Sequence, residues 1–182
     1  NVETQKLDSF YRAKDAKIAK DESFFAFKIT PGFDTLRNCE LNKIDKKKWP
    51  KDSLFIYQFS SDSLIKIPKL KNFQVATKGS VLAYTTEGNQ LPEKKKARKC
   101  FIKKKKSDEV KSDGNILTLF SLSGQSQLKN VTDFKLSEDG SQIAVIQHEK
   151  VKIDSFKLSI YASKSFDEAP LFIGKNVIVQ KL

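Results

Sequence analysis

The chain repeats itself, and that repetition limits its fold more than any other feature. Residues 20–27 (KDESFFAF), 77–84 (TKGSVLAY) and 138–145 (EDGSQIAV) align without gaps. Each begins in a polar tight turn, then reads Ser, a variable residue, an apolar residue, Ala and another apolar residue, with Ala26, Ala83 and Ala144 in register. Self-similarity of this kind fixes architecture first, because each repeat is a supersecondary unit that must bury its face on a neighbour.

A short strand precedes each turn (16–19, 73–76, 134–137), and two more follow the turn-adjacent strand, at 54–57, 116–120 and 158–161 and then at 64–67, 127–131 and 171–174. The unit is four strands, a to d, with a tight turn between a and b and a variable loop between b and c. Strand b is apolar at consecutive positions, as expected when both faces are covered. A four-stranded antiparallel unit covered on both sides by its like is a propeller blade. The expected fold is therefore all-β, a partial β-propeller of about three blades at 16–69, 72–131 and 133–174, with 176–180 opening a further strand. The competing architecture is a β-sandwich with coincidental spacing. Helix is expected only in 2–14 and in parts of the basic loops. Propellers typically close with 4–8 blades, so three leave two faces open. Either the chain belongs to a longer protein, or two copies pair as a homodimer through their open blade faces.

Net charge is +12, and all of it sits in two stretches. Residues 43–51 hold five Lys against Asp45, and residues 93–106 hold nine Lys or Arg against Glu93. Both lie in the b–c connections, which are long in the first two repeats and short in the third. In a propeller these connections leave from one end, so Lys46, Lys47 and Lys48 share a rim with Lys94, Lys95, Lys96, Arg98, Lys99, Lys103, Lys104, Lys105 and Lys106. Such a rim is either a solvated loop face or a surface for an acidic protein, a glycan or an anionic envelope. Nucleic acid fits poorly. Base readout favours Arg, of which the chain has only Arg12, Arg37 and Arg98, and the basic loops offer just Trp49 and Phe101 for stacking. Cys39 and Cys100 fall in the same two insertions. A disulfide between them is conceivable if the loops adjoin, with Cα atoms within about 7 Å; two free thiols are the alternative.

Catalytic patterns are missing from the sequence. Its single His is His148, and it has no G-x-S-x-G elbow; Leu122-Ser123-Gly124-Gln125-Ser126 reads as a hairpin turn. No metal-ligand spacing, phosphate loop or dinucleotide fingerprint occurs, so no cofactor is expected. No apolar run reaches the 18 or so residues of a membrane-spanning helix. The chain by itself is expected not to be an enzyme.

Ser137-Glu138-Asp139-Gly140-Ser141 with Ile143-Ala144-Val145, followed by Leu158-Ser159-Ile160-Tyr161, resembles the blade repeat of the propeller preceding the catalytic domain in prolyl oligopeptidase family serine peptidases. Tol-type propellers are similar. The Lys78-Gly79-Ser80 copy is a weaker match, and Asp21-Glu22-Ser23 lacks the Gly. The segment Trp49-Pro50-Lys51-Asp52-Ser53-Leu54-Phe55-Ile56-Tyr57 also looks like the long-loop blades of large secreted bacterial members. The resemblance implies a secreted or periplasmic peptidase, whose propeller screens peptide substrates on their way to a C-terminal hydrolase domain of the same polypeptide. The rival expectation is a free-standing binding module that uses its basic rim.

Overall fold

A computed structural model describes residues 9–88, 114–121, 124–150, 154–163 and 170–175. These residues form three four-stranded antiparallel blades, one after another along the chain. The first holds β1 (Ala13–Ile18), β2 (Phe24–Ile29), β3 (Ser53–Gln58) and β4 (Ser63–Ile67), in that order. The second holds β5 (Leu70–Val75), β6 (Leu82–Thr86), β7 (Asn115–Ser121) and the first half of β8 (Gly124–Leu136). The third takes the second half of β8, then β9 (Gln142–Lys150), β10 (Asp154–Ala162) and β11 (Phe172–Lys175). Helix α1 (Phe33–Leu41) and a 3-10 turn at Lys46–Lys48 fill the first b–c insertion. The expected all-β partial propeller of three blades is what the chain forms.

Side-chain parity shows why the repeats stack. On β2, Phe24 and Ala26 face the second blade and join a cluster with Leu54, Ile56, Phe73, Leu82, Tyr84 and Phe120. On β6, Leu82 and Tyr84 face back toward the first blade while Ala83 faces forward into a second cluster with Leu117, Leu119, Ile143, Val145 and Tyr161. The aligned alanines are thus the forward-facing residues of their blades, and small size there lets the next sheet approach. This double coverage buries Leu82, Ala83, Tyr84 and Thr85 in succession along β6, which is why strand b reads as an unbroken apolar run.

The crossovers between blades repeat as well. Arg12, Lys69 and Asn130 occupy equivalent positions just before an inner strand, and all three adopt left-handed backbone (φ 62°, 58° and 61°). Strands expected separately at 127–131 and 134–137 are one strand, β8, whose Val131 pairs with both Asn115 and Gln147. The ladder runs through the Asn130 kink. At the earlier crossover Pro68 has no N–H to donate, so β4 and β5 stay separate. Two further differences concern the N-terminal half. Residues 13–14, expected to be helical, open β1, and α1 forms ahead of the basic stretch rather than within it.

The a–b turns are hydrogen-bonded devices. Asp139 Oδ1 accepts from the Ser137 hydroxyl at 2.6 Å and the Ser141 N–H at 3.1 Å, and Gln142 N–H donates to Ser137 Oγ at 3.0 Å. Asp21 does the same for the hydroxyl and N–H of Ser23, at 2.6 and 3.2 Å. Gly140 takes a positive φ of 72°, and in the first copy Glu22 takes 56° without a glycine. The turns are also linked blade to blade: Lys20 N–H donates to the Gly79 carbonyl at 3.4 Å, and Lys78 N–H to the Glu138 carbonyl at 2.8 Å.

These turns make a pH prediction. Donors from Ser137 and then Ser141 hold the Asp139 carboxyl at about 2, and Ser23 and Ser80 lower that of Asp21. A carboxyl depressed in the folded state adds stability that is complete above the ordinary carboxylate value of about 4 and is lost as pH falls through the folded value. Melting temperature should therefore drop between about pH 4 and 2, and Asp139→Asn should flatten that drop. Parallel curves for the two proteins in calorimetry would count against the device.

Candidate functional site

The end of the blades that carries the b–c insertions is the first candidate. Its roots adjoin: Lys51 Nζ lies 3.6 Å from Glu87 Oε1, joining the close of the first insertion to the start of the second. Backbone bonds reinforce the joint, with Leu70 N–H donating to the Asp52 carbonyl at 2.9 Å and Glu87 N–H to the Lys69 carbonyl at 3.0 Å. Lys46, Lys47 and Lys48 stand exposed on their turn. Asp45 caps it by accepting from Lys47 N–H at 3.0 Å, and Trp49 Nε1–H donates to the Ile44 carbonyl at 2.9 Å. Three like charges on one turn repel and stay solvated unless an anion meets them. The other candidate cations, Lys94, Lys95, Lys96, Arg98, Lys99, Lys103, Lys104, Lys105 and Lys106, lie outside the described residues, as does Cys100. Cys39 is buried on α1; a disulfide with Cys100, one of the two states the sequence allows, falls outside the described residues.

Sequence reading missed a second feature. A cleft of about 300 Å³ opens between the inner strands of the first two blades, lined by Asp15, Lys17, Lys28, Leu70, Lys71 and Asn72 among others. Asp15 sits at a bulge with φ 54°, and its carboxylate lies 2.8 Å from Lys28 Nζ, which is also 4.0 Å from Asp52. The hydrogen bond with Lys28 lowers the Asp15 pKa, and the same bond raises that of Lys28. With Lys28 balanced by Asp15, Lys17 and Lys71 leave the cleft net positive. The signal was faint: four ordinary-looking charged residues from three strands.

His148 lies on β9, half-buried, its ring 5.3 Å from that of Phe156. Among the described residues no group of three or more His, Cys, Asp and Glu is placed to hold a metal, and no helix is long and apolar enough to cross a membrane.

No protein-family model and no curated protein matches the chain. Among solved structures it is similar to the β-propeller domain of the Trilobed protease from Pyrococcus furiosus, at 11% identity over 92% of this chain and 43% of that one, with a TM-score of 0.48. It is similar also to the Pyrococcus horikoshii acylaminoacyl peptidase, at 10% identity over 91% of this chain and 25% of that one, with a TM-score of 0.49. A eukaryotic initiation factor aligns at 11% identity over 96% of this chain and 35% of its own, with a TM-score of 0.46. The chain spans less than half the length of each of these proteins, and its propeller character stands on its own strand order and blade stacking.

Proposed function

We propose that the chain is a non-catalytic β-propeller segment of a secreted or periplasmic prolyl oligopeptidase-like serine peptidase. It screens or guides peptide substrates toward a hydrolase domain of the same polypeptide. One observation carries the reading. The Ser-x-Asp-Gly-Ser turn on which the resemblance rests is a complete hydrogen-bonded device at the a–b turn of the third blade, and its Asp-to-Ser half recurs at Asp21 and Ser23 in the first. In this role the blades supply a rigid scaffold, and the net-positive axial cleft supplies attraction for peptide carboxylates. The reading frame beyond Leu182 is expected to encode a G-x-S-x-G segment followed by a His, and the intact protein to be labelled by a fluorophosphonate probe. A stop directly after Leu182, or an unlabelled intact protein, overturns the proposal.

The exposed lysines at 46–48 favour a second reading, a binding module for an acidic protein, glycan or anionic envelope surface. It requires retention on an immobilised polyanion that salt abolishes; no retention at low ionic strength removes it.

A further inference from the structure

Aligned on Ala26, Ala83 and Ala144, strands a and b of the three blades superpose position by position, and the first blade departs from the other two at three positions that share one cleft. Two residues after the aligned alanine, where the second and third blades carry Thr85 and Ile146, the first carries Lys28. On the inner strand the others carry Phe73 and Phe134, both buried, and the first carries an exposed Ala16. One residue earlier stand Asn72 and Asp133, paired across the ladder with Thr85 and Ile146. Their equivalent, Asp15, is skipped by a ladder that steps from Lys14–Lys28 to Lys17–Ala26. Of the three, only Asp15 is left-handed, at φ 54°.

By parity Lys28 follows Phe24 and Ala26 on the forward face of β2, and it lines the cleft of about 300 Å³ between the first blade and the second. The cleft belongs to two blades that are both in place, with β1 and β2 on one side and β5 on the other. Leu70 and Phe73, both buried, form the apolar part of its lining, and Lys17 and Lys71 stand exposed beside it.

The molecule itself indicates what the cleft takes. A carboxylate already sits 2.8 Å from Lys28 Nζ, that of Asp15, with the two side chains 26% and 59% exposed for Lys28 and Asp15. The other nearby carboxylate, Asp52, is at 4.0 Å, beyond hydrogen-bond reach. An ion pair this solvated is weak and exchanges with other anions. Left-handed backbone at a residue other than glycine holds strain, and strain of this kind clusters at ligand sites. Bulges recur beside such sites too, where they re-aim a side chain; here the bulge aims a carboxylate at a lysine.

We propose that the cleft is a carboxylate-binding site in which Lys28 receives the ligand and Asp15 is a tethered stand-in that the ligand displaces. Lys17 and Lys71 draw the anion in, and Leu70 and Phe73 take an apolar group attached to it. A carboxylate carrying a short apolar group is the C-terminal end of a peptide. The inference rests on the peptide-guiding role proposed above for that ligand class, but its test is binding to this chain. A failure here leaves the fluorophosphonate result standing, and an unlabelled intact protein leaves the site standing.

Calorimetric titration of the 182-residue chain with N-acetylleucine should show saturable binding. N-acetylleucinamide, with the same body and no charge, should not bind, and inorganic phosphate, with charge and no body, should bind more weakly. Asp15→Asn should tighten N-acetylleucine binding about two- to fivefold, the gain from removing an exposed competing pair. Lys28→Gln should weaken it at least about tenfold, as loss of a charged hydrogen-bond partner does; Lys28→Thr, which installs the second blade's residue, serves if Gln fails to fold. Lys20→Gln and Asp34→Asn, which remove the same charges at exposed positions elsewhere, should leave affinity unchanged. The inference is overturned by a lack of saturation, by equal binding of the amide or of phosphate, or by an Asp15→Asn chain that binds no more tightly. Remote variants that shift affinity as far as those at Asp15 and Lys28 overturn it as well.

Discussion

Replacing Phe24 by alanine is expected to destabilise the chain by about 3–5 kcal/mol, the range for removing a fully buried aromatic from a core. Phe24 has no exposed surface, and its ring meets Phe120 of the second blade edge to face, at 5.7 Å and 89°. The position is more vulnerable than most because the first and second blades share no strand. Their joint is side-chain packing plus a few backbone bonds at the turns and crossovers, so the cavity opens in the joint itself. Against a total stability of about 5–15 kcal/mol for an ordinary domain, such a loss would leave the first blade close to detaching. Urea unfolding checks it. Phe59→Ala, at a ring 49% exposed, should shift the midpoint far less, and equal shifts would mean that the blade joint is not where the stability resides.

Gly79→Ala should cost about 1–3 kcal/mol, the range for forcing extra atoms into a filled site. A Cβ at this position would lie 2.3 Å from the Asp139 carbonyl oxygen, and that oxygen belongs to backbone held by the next turn. The neighbouring bond from Lys78 N–H to the Glu138 carbonyl, 2.8 Å long, must stretch with it. Lys78→Ala is the control. It removes the 2.9 Å ion pair with Glu138, whose side chains are 66% and 74% exposed, and exposed pairs contribute at most about 1 kcal/mol. Thermal melts of the two variants should separate clearly; a Gly79→Ala protein as stable as Lys78→Ala would show that the turn stack yields at no cost.

The blades were legible in the sequence for a physical reason. Ala26 and Ala83 are held to one size by the approach of the next sheet, and Asp21 and Asp139 are held to one chemistry by the turns they close. Constraints acting on single positions leave a trace in residue identity. The merging of two strands into β8 left no such trace, since nothing about Asn130 as a residue says that its left-handed kink keeps the ladder intact. Helix α1 was hard to see because Cys39 is its sole buried residue, too little for an apolar stripe. The cleft around Lys28 was invisible for a different reason. Asp15, Lys28 and Lys71 meet there only through strand register, and each alone looks like ordinary surface charge.

The shared strand makes the molecule mechanically uneven. From β5 to β11 a single hydrogen-bonded ribbon runs through two blades. The four strands ahead of it are held by a proline link, apolar packing, an ion pair and a few single backbone bonds, with no ladder between them and that ribbon. A seam of that kind puts the weakest joint of these three blades between the first and the second.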